Sequence, residues 1–186
     1  KKRDCRVPTL KEVMKAFPDT VKPRKAISDS LMAHLRYPQD LFKVQRELLT
    51  RYHVSDPGQF FNTQDFWRVP NDPTSGQGAA QPPYYIVAKA PGQKEPVFQL
   101  TSALNALQRD NLAAYVTVSS DPDDYGEMQV LELPGSQAVL GPGQVQGRFG
   151  STAQIAQTVT LLNSQGSSVK FGNLLTLPVA NGLLYI

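Results

Sequence analysis

The chain has 186 residues, of which 40% are hydrophobic and 19% charged, with a net charge of +3. This length and composition suit a single globular unit burying roughly two thirds of its unfolded surface, and they exclude a disordered chain. The lone cysteine, Cys5, excludes an internal disulfide and cannot by itself build a structural zinc site.

No segment approaches the ~20 consecutive apolar residues that a membrane-spanning helix needs, and no signal-peptide pattern is present. The chain starts at Lys1 and finishes on the apolar run Leu183 to Ile186, so both ends read as cuts from something larger. Charge is uneven. Residues 1–51 carry 13 Lys or Arg against 6 Asp or Glu, a net of +7, and the remainder carries a net of −4. A basic face of this kind can meet nucleic acid, anionic lipid or an acidic partner. We read it as a solvated helical surface, because helix faces commonly carry Lys and Arg.

Thr9 and Glu12 have capping-box spacing and predict a short helix over Leu10 to Phe17, ended by Pro18. Asp19 to Lys25, with Pro23 inside it, is an extended connector. Ser28 is an N-cap with Ile27 and Met32 at staple positions. Leu31 and Leu35 continue that apolar stripe to Tyr37, where Pro38 breaks or restarts the helix. The next helix is the most strongly periodic element. Leu41, Val44, Leu48 and Tyr52, with Phe42 and Leu49 beside them, form an apolar stripe, and Lys43, Arg46, Glu47 and Arg51 point elsewhere.

Asp56-Pro57 starts one or two turns over Gly58 to Phe61. Phe60, Phe61, Phe66 and Trp67 are expected as buried core or as cover for a sheet. Asn71 to Pro83, rich in Pro, Gly, Ser and Gln, reads as a mobile loop. Strands follow at Tyr84 to Ala88, Val97 to Thr101, Ala113 to Ser119 and Met128 to Leu133. Ser102 to Asn111 is expected to be irregular or briefly helical. Gly143 to Phe149 and Thr152 to Leu162 are helix candidates with Gly150 between them. Val169 to Phe171, Leu174 to Val179 and Leu183 to Ile186 complete the strands. Helices first and strands later, with helices inside the strand region, predict an α+β fold with a mixed or antiparallel sheet, kept as one unit.

Asp121, Asp123, Gly126 and Glu132 fall at positions one, three, six and twelve of a calcium loop. Position five is Tyr125, and the flanks are strand-like. A β-hairpin closed by the turn Asp121 to Gly126, with Asp124 inside it, accounts for the same residues. His34 and His53 are the only histidines, and neither lies in a catalytic motif. We read both as surface or interface residues, and Cys5 as part of an exposed end. Gly141 to Gly147 departs from a phosphate-cradling spacing and starts a helix instead. Lys22, Arg24 and Lys25 belong to no nucleic-acid-binding module, and no nucleic-acid partner is expected. No catalytic, cofactor-binding or metal residue is assigned.

The segments PDTVKP (18–23), LRYPQDLFKVQRELL (35–49), FFNTQDFWRVPNDPT (60–74), QPPYYI (81–86), AAYVTVSSDPDDYG (113–126), GPGQVQ (141–146) and GNLLTLPVANGLLYI (172–186) resemble uncharacterised protein family 0182. The resemblance runs from Pro18 across nearly the whole chain. It implies a piece of the extracytoplasmic region of a multi-pass bacterial membrane protein, and it carries no catalytic or ligand residue. The expected role is a non-catalytic interaction or assembly domain. Its partners would be the rest of its parent, another copy of itself or envelope components. The alternative is one part of a composite extracytoplasmic enzyme or ligand site to which Asp121, Asp123 or His53 contributes.

Overall fold

The computed structural model of the protein describes residues 9–75, 78–89, 91–164, 166–179 and 182–186. It divides into two compact units, residues 1–35 and 36–186.

The first unit holds α1 (Leu10–Ala16), a 3-10 turn (Arg24–Ala26) and α2 (Asp29–Met32). Thr9 and Glu12 form the expected capping box, and Ser28 caps α2 through the Leu31 N–H. None of these elements contains a buried residue. The helix expected to reach Tyr37 stops at Met32. Tyr37, in the second unit, gives its backbone N–H to Ser120 Oγ (3.0 Å) and its hydroxyl to Gln45 Oε1 (2.9 Å). A residue tied to a loop in this way, with Pro38 behind it, cannot continue a helix.

The second unit is built on β3 (Val97–Ala106) and β4 (Leu112–Ser119), an antiparallel pair with Leu100 opposite Val118 and a register shift between Leu104 and Asn105. One edge of β3 is shared by β1 (Trp67–Arg68) and β2 (Tyr84–Ala88), and β5 (Met128–Glu132) pairs with β4. All four pairings are antiparallel, as in an α+β fold. The expectation of an irregular Ser102 to Asn111 is corrected, since β3 runs on to Ala106. Its polar residues mislead because both faces of this central strand are buried, with Ser102 and Asn105 hydrogen-bonded inside.

The helix α3 (Gln39–Tyr52) lies against the face carrying Leu100, Leu104, Ala114, Val116 and Val118, and with Tyr37, Phe42 and Trp67 these form the core. The other face, with Gln99, Thr101, Tyr115 and Thr117, is also buried but largely polar. Asn71 pairs with Ala80 across the following loop, and Gln81 N–H donates to Pro70 O (2.8 Å), so the two ends of the 71–83 segment are held together.

The remaining elements are α4 (Pro57–Phe61), α5 (Pro142–Ser151), α6 (Ala153–Leu162) and the ribbon β6 (Thr176–Val179) with β7 (Gly182–Tyr185). Gly150 lies inside α5 and not between the two helices, because the break falls at the Thr152 cap. Val169 to Phe171 forms no strand. Three apolar or amphipathic residues without a pairing neighbour gain nothing from an extended ladder.

Gly141 approaches the β3–β4 turn so closely that a Cβ would lie 2.0 Å from Asp110 O and within 2.9 Å of the Asn105 amide. Gly141→Ala is therefore expected to cost about 3 kcal/mol, and Gly135→Ala, with open space around it, less than about 0.5 kcal/mol. Denaturant unfolding of the two variants checks this.

Burial pushes the Tyr115 hydroxyl up from 10.0 to about 12, with Thr101 partly opposing. The unfolded chain then loses this proton first, so stability falls as pH rises from about 10 and the contribution is gone by about 12. Tyr115→Phe should remove roughly 2–3 kcal/mol of that alkaline loss. At neutral pH it should be neutral or slightly stabilising, because the buried hydroxyl, although Thr101 is near it, makes no hydrogen bond of normal geometry among the described residues. Unfolding measured at pH 7 and across pH 10 to 12 tests both statements.

Candidate interaction surface

The orientation of α3 is the reverse of what its periodicity predicts. Phe42, Arg46 and Thr50 are its buried residues, and Leu49 packs beside them. The stripe expected to face the core is in solvent: Leu41 is 48% exposed, Val44 58%, Leu48 53% and Tyr52 71%. At 100° per residue the two faces are centred roughly 155° apart on the helix.

The cause is Arg46. Its side chain is only 4% exposed, yet no carboxylate pairs with it among the described residues. Nη1 donates to Gln81 O (2.9 Å) and to Ser102 Oγ (2.8 Å), and Nε has no partner. Burial pushes the Arg46 pKa down, and nearby Glu47 partly restores it. A buried guanidinium is costly unless its donors are matched. The acceptors come from the 78–83 loop and from β3, so the helix is fixed with this side inward and its apolar stripe outward.

At its C-terminal end the stripe continues onto α4. Tyr52 and Phe60 rings lie 5.9 Å apart, and Phe60 meets Phe66 edge-on at 5.2 Å. Tyr52, Val54, Pro57, Phe60 and Phe61 line a shallow depression of about 640 Å³. The aromatic cluster thus splits. Phe66 and Trp67 are buried as expected, whereas Phe61, 87% exposed, is not. The sequence holds no signal for this, because Arg46 is one of five charged residues of α3, with Asp40, Lys43, Glu47 and Arg51, and periodicity ranks all of them as solvent-facing.

His53, at the end of α3, stacks on Trp67 with ring centroids 3.4 Å apart. Its Nδ1 lies 2.7 Å from Leu49 O and its Nε2 3.0 Å from Asp65 O. One contact is a hydrogen bond in either neutral tautomer, and both are in the charged form. His53 thus ties α3 to the segment before β1. His34 is separate, in the first unit, with Nδ1 2.6 Å from Ser30 O. Cys5 lies outside the described residues. Lys22, Arg24 and Lys25 are exposed in the first unit.

The acidic segment is the β4–β5 hairpin. Gly126 takes a φ of 87° and its N–H donates to Ser119 O (2.9 Å), Asp124 accepts from Ser119 Oγ, and Ser119 Oγ accepts from the Asp121 N–H (3.1 Å). Glu132 lies at the far end of β5. No three His, Cys, Asp or Glu side chains converge to hold a metal among the described residues. Gly141 caps α5, with its N–H donating to Gln144 Oε1 (3.0 Å).

The fold and surface define an α+β domain with one helix laid across a five-stranded antiparallel sheet and an apolar ridge left in solvent. The chain belongs to the family described as uncharacterised protein family UPF0182, whose profile matches residues 3–162. It is 54% identical over 189 residues to a UPF0182 protein of Saccharopolyspora erythraea, covering 98% of this chain and 20% of the relative. It is 55% identical over 187 residues to one of Mycobacteroides abscessus, covering 99% and 18%. With one of Frankia alni it shares 53% identity over 179 residues, covering 96% and 17%. The chain therefore spans about a fifth of the length of these curated relatives. No solved structure matches.

If the acidic hairpin is a turn held by its own hydrogen bonds, calcium has no site to complete. Millimolar calcium is expected to produce no heat in calorimetry and no change in melting temperature. A saturable heat that Asp123→Asn abolishes would contradict this.

Proposed function

We propose that this chain is a non-catalytic interaction or assembly domain of a longer UPF0182 membrane protein, on the extracytoplasmic side of the bacterial cell membrane. Its α3–α4 ridge docks a segment from the remainder of that protein. The observation that carries the reading is the exposed line Leu41, Val44, Leu48 and Tyr52 on a helix whose opposite side is anchored by Arg46. Contiguous apolar surface on a folded domain marks an interaction site, and a tyrosine at its end is a residue type enriched in interface hot spots.

The relatives support the choice of occupant, since roughly four fifths of their length lies outside the matched region. The membrane setting rests on the family resemblance. No helix among the described residues is long and apolar enough to cross a membrane, so in this reading the membrane-spanning parts belong to the remainder.

A photo-cross-linking residue placed at Leu48 of the full-length protein, in native membranes, should capture peptides from outside these 186 residues. Capture of lipid alone, of a second copy of this same region, or of nothing would overturn the assignment.

A further inference from the structure

A second feature adjoins the α4 end of the exposed stripe, sharing Thr63 and Phe66 with the depression there. The segment Asn62 to Asp65, between α4 and β1, contains two non-glycine residues in the left-handed region, Thr63 at φ 54° and Asp65 at φ 60°. A β-branched residue there is a genuine outlier, and strain of this kind persists only where the surroundings over-determine it. They do so here. Thr63 N–H donates to Phe60 O (3.1 Å) and Gln64 N–H to Gln59 O (2.9 Å), the Schellman pairing that closes α4 around a left-handed residue, and His53 meets Asp65 O.

This held segment forms one wall of a cleft of about 460 Å³, closed by the β3–β4 turn and by the residues following β5. The volume is within the range of about 300–1,000 Å³ typical of small-molecule sites. Its base is apolar, with Phe66, Trp67 and Leu112, each less than a tenth exposed. Around it stand Gln64, Asp65, Gln108, Arg109, Glu132 and Gln137. None of these six side chains makes a hydrogen bond or ion pair with another described residue. Asp110, next to Arg109, is by contrast already paired with Arg68.

The geometry points to a binding site for a neutral, hydroxyl-rich ligand of monosaccharide to disaccharide size. Three amides can each donate and accept, two carboxylates accept, and one guanidinium donates, which matches hydroxyl groups that do both. An anionic ligand meets Asp65 and Glu132, and a cationic one meets Arg109. The apolar base takes the C–H face of a sugar ring. His53 is a positioning residue here, holding the Asp65 backbone from behind. The inference is independent of the docking role of α3.

The test uses the full-length family protein in detergent, titrated by calorimetry with glucose, galactose, N-acetylglucosamine, maltose, lactose and cellobiose, and with glucuronate and glucosamine as charged controls. At least one neutral sugar should bind saturably, with both charged controls weaker. Gln108→Ala and Arg109→Ala should each weaken it by about tenfold or more. Asp65→Asn retains a residue that tolerates the left-handed conformation, so it should weaken binding without lowering the melting temperature. No saturable neutral-sugar binding up to roughly 10 mM, binding only of a charged control, or binding unmoved by the Gln108 and Arg109 variants would overturn the assignment. The Leu48 cross-link should be the same in all three variants, so this inference and the docking role fail separately.

Discussion

The second unit depends on one buried cation. Arg46 reaches from α3 to a main-chain carbonyl at Gln81 and a hydroxyl at Ser102, joining a helix, a loop and the central strand in one set of hydrogen bonds. Gln81 extends the set, donating from Nε2 to Leu174 O (3.1 Å) just before β6. Removing a guanidinium from water is unfavourable, so these acceptors must be in place when the helix docks. Once they are, α3 cannot rotate to bury its more apolar side without stranding both the cation and its acceptors.

That constraint sets which face of α3 is outward. Leu41, Val44, Leu48 and Tyr52 are held outward by a helix that is rigid because of what it buries, which suits a preorganised docking face. On the next turn of chain, His53 and the paired backbone groups hold Thr63 and Asp65 in a conformation those residues rarely adopt. Gln64 and Asp65 on that wall are exposed and line the cleft. In both places local preference is overridden by tertiary contacts.

Much of the fold was legible in the sequence because it follows from local chemistry. Thr9 and Glu12, Ser28, Asp56-Pro57 and Gly141-Pro142 each announced a helix start that the structure contains. The apolar run Tyr84 to Ala88 forms the expected strand and the turn at Asp121 to Gly126 the expected hairpin. What failed was tertiary. Ser102 to Ala106 looked irregular because its polar residues find partners only on α3 and in the next turn. The face of α3 was misassigned because periodicity counts apolar residues and cannot see a buried arginine with acceptors 35 and 56 residues away. The cleft was invisible for a related reason, since its polar residues come from three separated segments and form no motif.

In α3, Arg46 faces in and Leu48 faces out. Equilibrium unfolding of the 186-residue chain carrying Arg46→Ala or Leu48→Ala tests it most directly. Losing the guanidinium leaves Gln81 O unpaired, takes from Ser102 Oγ its donor and opens a cavity, so Arg46→Ala should cost about 3 kcal/mol or more. Leu48→Ala should cost less than about 1 kcal/mol. The opposite order, with the leucine the more costly to lose, would contradict the account.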